Sequence, residues 1–168
     1  MVLCSLRSNN FFLSNNFTSV KMSKRFTETT IWEDDWFYEL SPEYKLFWFY
    51  VKDNCSHAGI WQPKTRAFKA STDLQIDLSK ALVYFNMNKE RVRVLKNGRW
   101  FLIDFFCFQY GRCVNMGNRV HKSITKTLAE NGVGLSELRG IVDIKNEENG
   151  ILNPQEYDSV ILNILTSN

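Results

Sequence analysis

Hydrophobic positions along the chain predict a first long helix that begins at the Ser-Pro pair of residues 41–42. Serine is a favoured N-cap residue, and proline is favoured in the first turn of a helix. In residues 43–54, Leu46, Phe49 and Tyr50 are spaced to share one face, and further apolar residues widen that face. We expect a helix this apolar to lie at the centre of a hydrophobic core.

Three shorter elements are predicted downstream of this helix. Residues 60–62 form a strand-like run, and residues 65–72 have the pattern of a short helix. Asp77 is a favoured N-cap residue for another helix over residues 78–85. The side chains of this last helix that we expect to face the core are Leu78, Leu82 and Phe85.

A β-hairpin is the strongest local prediction. Residues 91–96 alternate between polar and apolar side chains, and a second strand-like run covers residues 99–108. The Asn97-Gly98 pair between them favours a two-residue type I′ turn, because both central residues of that turn need positive φ. The cationic side chains expected on one face and at the tip of the hairpin are Arg91, Arg93, Lys96 and Arg99.

The pattern is weaker towards the C-terminus. Residues 120–128 predict a helix that ends at Asn131 and Gly132. Its expected apolar stripe consists of Val120, Ile124 and Leu128. Beyond this helix we expect a short helix over residues 135–142, a loop at 147–150 and a terminal helix over 156–165.

Composition indicates a globular protein. The 168 residues are 44% hydrophobic and 23% charged, which is typical of a folded domain and not of a disordered segment. No apolar run is long enough to span a membrane, and the Asn- and Ser-rich N-terminus does not resemble a signal peptide. The four cysteines lack the spacing of a disulfide framework, which favours free thiols in a reducing cytoplasm. We therefore expect a cytoplasmic protein.

The net charge of +3 conceals an asymmetry along the chain. Residues 22–126 carry a net charge of +6, whereas residues 127–168 carry a net charge of −5. The basic block predicts a surface that meets phosphates, and the acidic segment could fold back on that surface and weaken binding in the free protein. The parts that we expect are a disordered leader at 1–21, with Met22 as an alternative native start, a folded domain at 22–132, and an acidic, partly helical tail at 133–168.

The order of these elements predicts an α+β fold of the winged helix-turn-helix type: helix, strand, two helices, a hairpin wing and a further helix. In such folds the second helix of the helix-turn-helix enters the major groove of DNA. Phosphate contacts supply most of the affinity, and base contacts supply the choice of sequence. The candidate DNA-binding residues are Arg91, Arg93, Lys96, Asn97 and Arg99 of the wing, Ser79, Lys80 and Tyr84 of the predicted recognition helix, and Arg119 and Lys122 of the later helix.

Three separated stretches resemble the N-terminal domain of phage replication organiser proteins, which are relatives of the DnaD-like primosomal proteins. The stretches are SKRFTETTIWEDDWFYELSPEYKLFWFYVKDNCSHAGIWQ, NGRWFLIDFFCFQYG and NRVHKSI, and together they fall within residues 23–128. The resemblance implies a winged-helix domain that binds duplex DNA at a replication origin and helps to recruit a helicase or another primosome partner. It also implies self-association, for which we expect Trp36, Phe37 and Tyr38, just before the first predicted helix, to form an exposed or interface patch.

Other functions find less support in the sequence. Cys55, His57, Cys107, Cys113 and His121 include no Cys-x-x-Cys pair, so we predict no metal site. The acidic residues form no catalytic constellation and no GxxxxGK[ST] loop is present, so we predict neither an enzyme nor a cofactor. Two alternatives stay open, namely a winged-helix transcriptional regulator and a protein-interaction module that does not bind DNA.

Overall fold

Helices and two small sheets make up a mixed α+β fold, which confirms the predicted fold class at that level. The computed structural model of the protein describes residues 24–146 and 150–159. In chain order the elements are a 3-10 helix at Thr29–Glu33, α1 at Asp35–Tyr38, α2 at Pro42–Asn54, β1 at Ile60–Trp61, α3 at Arg66–Thr72, α4 at Leu78–Phe85, β2 at Val92–Val94, β3 at Trp100–Leu102, α5 at Phe105–Tyr110, β4 at Cys113–Asn115, α6 at Arg119–Glu130, a second 3-10 helix at Leu135–Glu137, β5 at Asp143–Asn146, β6 at Gly150–Leu152, and helical residues 154–159. No helix in the described ranges is long and apolar enough to cross a lipid bilayer.

The first sheet has the strand order β1-β3-β2, and both of its strand pairs are antiparallel. β2 and β3 form the predicted hairpin, with Val92 opposite Leu102 and Val94 opposite Trp100. β1 corresponds to the strand predicted at residues 60–62 and pairs with the other edge of β3. β3 is therefore the central strand, and it joins the hairpin to the segment that follows α2.

The hairpin turn has three residues and not the predicted two. The backbone N–H of Leu95 donates to the carbonyl of Arg99, and the N–H of Gly98 donates to the carbonyl of Leu95, both at 2.8 Å. Gly98 has a φ of 76°, whereas Asn97 does not have positive φ. The predicted type I′ turn is therefore wrong, because the loop is a three-residue turn closed by a left-handed glycine.

The second strand of the hairpin ends earlier than predicted. β3 stops at Leu102, and the phenylalanine-rich part of the predicted strand at 99–108 is helix α5 instead. A short apolar run does not by itself distinguish a strand from a buried helix. The close packing of α5 is visible at Gly59, where a Cβ atom would lie 2.8 Å from the Cβ of Phe105.

The first hydrophobic core is built around α2, but the face that α2 buries differs from the prediction. Leu46 is 46% exposed, and Phe49 and Tyr50 are only partly buried. The residues that α2 buries are Tyr44, Phe47, Trp48 and Val51. Because α2 is apolar around most of its circumference, its own pattern does not select a face. Contacts with neighbouring aromatic rings select the buried face, because the Phe47 ring packs edge-on against Trp61 and Phe68.

α4 begins at the predicted cap. The side chain of Asp77 accepts hydrogen bonds from the backbone N–H groups of Ser79 and Lys80, at 2.9 and 3.2 Å, so this N-cap is confirmed. The fully buried residues of α4 are Ala81 and Phe85. The other two residues predicted to face the core are partly buried at its edge: Leu78 and Leu82.

A second hydrophobic core contains the inner face of α6. Ile124 and Leu128 are fully buried, as predicted, but Val120 is 47% exposed. His121 takes the inner position in its place, and its Nδ1 accepts a hydrogen bond from the backbone N–H of Asn115 at 2.9 Å. Burial lowers the pKa of this imidazole from its usual value. The neutral ring therefore acts as a packing residue at the start of the helix.

The segment after residue 132 contributes to the same second core. β4 pairs in parallel with β5, and β5 pairs in antiparallel fashion with β6. The helix predicted at 135–142 is wrong, because a 3-10 turn and an irregular stretch lead into β5. The buried side chains from this segment include Leu135, Leu138, Ile144 and Tyr157.

The loop predicted at 147–150 and the helix predicted at 156–165 fall partly within the described residues. Gly150 begins β6 instead of closing a loop, and helical residues 154–159 overlap the start of the helix predicted at 156–165. Residues 147–149 and 160–165 lie outside the described ranges, as do Met22 and the predicted leader at 1–21.

Candidate nucleic-acid interface

Arg91, at the base of the hairpin, is held by the protein itself. Its Nη1 donates to three backbone carbonyl oxygens at 2.8 to 3.2 Å, and its guanidinium lies 4.0 Å from the ring centre of Trp36. Burial lowers the pKa of this guanidinium from its usual value. The three accepting carbonyls belong to Phe85, Met87 and Lys89. Arg91 therefore fixes the end of α4 to the start of the hairpin.

Arg93 is engaged by two carboxylates. Its Nε and Nη2 donate to the two carboxylate oxygens of Glu90 at 3.0 and 2.9 Å, and its Nη1 donates to Glu137. The hydrogen bond with Glu90 raises the pKa of Arg93 and lowers that of Glu90. Glu137 belongs to the acidic C-terminal segment, so a carboxylate of that segment contacts the hairpin.

Further ion pairs balance the remaining charges at the hairpin base. The carboxylate of Asp104 lies 2.8 Å from Lys89 Nζ and 3.1 Å from Arg139 Nη1. Arg139 also donates through Nη2 to the backbone carbonyl of Glu90 at 2.7 Å. Lys89, Arg93 and Arg139 thus meet acidic partners within the chain, and Arg91 is the basic residue of the base that is held by neutral carbonyls.

The tip of the hairpin packs on the C-terminal end of α6. Oδ1 of Asn131 accepts hydrogen bonds from Asn97 Nδ2 at 2.9 Å and from Arg99 Nη1 at 2.8 Å. Arg99 Nε also donates to the side-chain oxygen of Gln62 at 3.2 Å. Lys96 is exposed and has no hydrogen bond or ion pair with another described residue. Because the partners of Arg99 are neutral amides, they orient its guanidinium and leave its positive charge uncompensated.

α6, whose C-terminal end contacts the hairpin tip, carries further cations on its outer face. Arg119, Lys122 and Lys126 are exposed and spaced by three and four residues, so they share one face of the helix. At 1.5 Å per residue, residues 119–131 span about 18 Å. Lys126 has a weak acidic partner, Glu130, at 3.9 Å. We define the tip surface as the set Lys96, Arg99, Arg119, Lys122 and Lys126.

Lys126 is not among the candidate residues predicted from the sequence. Its position four residues after Lys122, on a helix with a clear apolar stripe, was the signal that could have identified it. The structure brings these two lysines onto one exposed face. It also joins their helix to the hairpin tip through Asn131, which no local pattern predicted.

α4, the predicted recognition helix, presents few polar side chains. Ser79 and Lys80 are exposed in its first turn, and Val83 is 69% exposed in the next. The Tyr84 ring is partly buried and packs edge-on against Tyr44, with ring centres 4.9 Å apart. Tyr84 is therefore a packing residue, and the exposed polar side chains of α4 lie in its first turn.

The region predicted to mediate self-association lies mostly in the core. Trp36 is 5% exposed and Phe37 is fully buried, so the expectation of an exposed patch is wrong for these two residues. Tyr38 is 71% exposed, and Trp32, which was not predicted, is 59% exposed while packing edge-on against Phe37. The exposed aromatic side chains of this region are therefore Trp32 and Tyr38.

Cysteine and histidine side chains have separate local roles. Burial raises the pKa of the Cys55 thiol to about 12, which disfavours the reactive thiolate. His57 Nε2 lies 3.0 Å from Ser123 Oγ, and Cys107 Sγ donates to the backbone carbonyl of Arg139. Within residues 24–146 and 150–159, no three His, Cys, Asp or Glu side chains are grouped as metal ligands.

Most of the exposed candidate residues lie on the hairpin tip or on the helix that the tip contacts. Lys96, Asn97 and Arg99 belong to the hairpin tip, and hydrogen bonds to Asn131 connect the tip to α6, which carries Arg119 and Lys122. Arg91 and Arg93 differ from them because Arg91 is held by backbone carbonyls at the end of α4 and Arg93 is paired with carboxylates.

Comparison of the chain with protein-family models, with curated proteins and with solved structures found no match.

Proposed function

We propose that this protein binds duplex DNA through the tip surface, which contacts the phosphate backbone. The observation that carries the proposal is the uncompensated charge of Arg99 and Lys96 at a hairpin tip that contacts α6, the helix with the exposed cations. Lysine and arginine side chains in such a row neutralise phosphates and release counterions. Because α4 offers only one exposed cation, Lys80, the binding is expected to depend more on phosphates than on base readout.

The order of elements supports a winged-helix assignment within this proposal. The elements follow one another in the predicted order, which is α2, β1, α3, α4 and the β2–β3 hairpin. In the first sheet, β3 lies between β1 and β2. In a winged helix the hairpin is the wing and contacts the neighbouring groove or backbone of DNA. In this assignment the hairpin and α4 both contact the nucleic acid.

The biological role that we propose is replication initiation in a phage or prophage, with binding at an origin and organisation of the replisome. This role rests on the resemblance of three sequence stretches to phage replication organiser proteins. A helicase or primosome partner and self-association belong to the same proposal. For self-association, the exposed rings of Trp32 and Tyr38 are better placed than the buried rings of Trp36 and Phe37.

The test is fluorescence anisotropy of the protein on random duplex and single-stranded DNA across a salt series. We expect affinity for the duplex to fall steeply with salt. A Lys122→Gln/Lys126→Gln variant should flatten the logarithmic slope by roughly 0.9 for each phosphate that it no longer neutralises. The matched control is Lys24→Gln/Lys145→Gln, which removes the same charge from exposed positions outside the tip surface.

Equal losses of affinity in the two double variants would show that general charge, and not the tip surface, drives binding. If the folded protein did not bind DNA at low salt, the interaction-module alternative would replace the proposal. A stable dimer that selected a palindromic duplex would favour the transcriptional regulator.

A further inference from the structure

A cavity of about 310 Å³ lies between α2, the hairpin base and α5, away from the residues of the tip surface. This volume is at the lower end of the range for small-molecule sites. Aromatic side chains from three elements supply much of its apolar lining, and Trp36 and Trp48 also pack edge-on against each other at 5.2 Å. The aromatic lining residues are Trp36, Trp48, Phe105 and Phe108.

Three cations line the cavity: Lys89 pairs with Asp104 and Arg91 donates to backbone carbonyls, whereas the ammonium group of Lys52 has no acceptor among the described residues. The Nζ of Lys52 lies 5.0 Å from the ring centre of Phe108, and this ammonium group forms no hydrogen bond or ion pair with the other described residues. Burial lowers the pKa of Lys52, although Glu28 and Asp53 oppose this shift by attraction. The ammonium group is thus partly desolvated beside a cavity, where an anionic group could contact it.

Acidic groups with unused acceptor capacity line the same cavity. Glu28 forms no hydrogen bond or ion pair with another described residue, and Asp34 accepts a single side-chain bond, from Trp36 Nε1 at 3.1 Å. The third acid in the lining, Asp104, is instead held by Lys89 and Arg139. Both signs of charge are therefore available to a ligand in this cavity.

We infer that this cavity binds a small zwitterion with an aromatic body, of the class of the aromatic α-amino acids. The aromatic ring packs among Trp36, Trp48 and Phe108, the carboxylate pairs with Lys52, and the ammonium pairs with Glu28. A ligand that carried one charge alone would gain one of these pairs and be repelled by the other group. This inference does not depend on DNA binding.

Three related probes test the charge requirement: phenylalanine, 3-phenylpropionate and phenethylamine. They share the ring but carry both charges, the negative charge alone or the positive charge alone. Titrations on the full chain are followed by tryptophan fluorescence, because Trp36 and Trp48 line the cavity and the probes do not emit in that range. We expect phenylalanine to bind at least tenfold more tightly than either singly charged probe.

Variants locate the site. Lys52→Met and Glu28→Gln are each expected to weaken phenylalanine binding about tenfold or more, because each removes one charge-assisted contact. The matched controls, Lys69→Met and Glu33→Gln, change exposed residues that do not line the cavity and should leave binding unchanged. Thermal melting of each variant confirms that it is folded.

Three outcomes would overturn the inference. Equal affinity for phenylalanine and 3-phenylpropionate would make the cavity a simple anion site. Absence of binding of all three probes at millimolar concentration, or equal losses of affinity in the Lys52 variant and its Lys69 control, would exclude the cavity as the site for this class of ligand.

Discussion

The two ends of one hairpin carry similar cations in opposite situations. At the base, Arg91 donates to backbone carbonyls and Arg93 to carboxylates. At the tip, Arg99 is oriented by neutral amides and Lys96 is exposed. The number of basic residues in the hairpin is therefore a poor measure of its affinity for phosphates. The acceptors around each guanidinium decide whether its charge serves the fold or a ligand.

The difference has a chemical origin in the partners that each end meets. The base adjoins the end of α4, where carbonyls are left without helical partners, and arginine has enough donors to satisfy several of them. It also adjoins the C-terminal segment, which supplies Glu137 and Arg139. Among the described residues, the side chains that accept hydrogen bonds from the tip are those of Gln62 and Asn131, and amides orient an arginine without neutralising it.

The largest expected effect is on stability at the base. Arg91→Met removes the donors to three carbonyls and the contact with Trp36, and we expect it to lower the free energy of unfolding by about 2–4 kcal/mol. Arg99→Met, at the exposed tip, is the matched control and should cost about 0.5 kcal/mol or less. Urea denaturation of both variants provides the comparison. Equal reductions in stability would remove the distinction between base and tip.

A smaller effect is expected for the contact between the hairpin and the acidic segment. A double-mutant cycle with Arg93→Met and Glu137→Gln should give a coupling of about 0.5–1 kcal/mol, because both side chains are about one-third exposed. The control cycle, Lys126→Met with Glu130→Gln, involves a longer and more exposed pair and should give a coupling near zero. If the coupling energy between Arg93 and Glu137 were no larger than that of the control pair, this contact would add nothing to the stability of the hairpin base.

The smallest expected effect is on the pH dependence of stability. Because the hydrogen bond from Arg93 lowers the pKa of Glu90, ionised Glu90 stabilises the fold at pH values above the usual glutamate pKa of about 4.3. This contribution is lost as the pH falls through the lowered pKa. Melting temperatures measured from neutral pH to about pH 3 should decline less steeply for Glu90→Gln than for the unchanged protein. An identical decline would indicate that Glu90 contributes nothing to acid sensitivity.

Local patterns in the sequence predicted several elements of the fold. The Asp77 cap, the Asn-Gly hairpin and the start of α2 are local features, and the structure confirms each of them. The hairpin turn differed in length because Asn-Gly fits more than one turn type. Helix α5 was predicted as a strand because a continuous run of apolar residues carries no period.

The candidate interface was predicted in part. Sequence spacing identified the cations of the hairpin and two of those on α6, because charged residues on alternating or helical positions are visible as a pattern. It did not distinguish Arg91 from Arg99, since their partners come from α4 and from Asn131, which are distant in the chain. It also assigned Trp36 and Phe37 to the surface, because burial of an aromatic residue depends on what packs over it.

By itself, the sequence determined where most chain segments become helix or strand and how basic the middle of the chain is. Caps, turns and periodic apolar residues act over a few positions, so their effect is already present in the local sequence. Only the tertiary structure decided which face of α2 is buried, which arginines are neutralised, and that Lys52 and Glu28 line one cavity. These features depend on contacts between distant segments, because desolvation and charge pairing act through space and not along the chain.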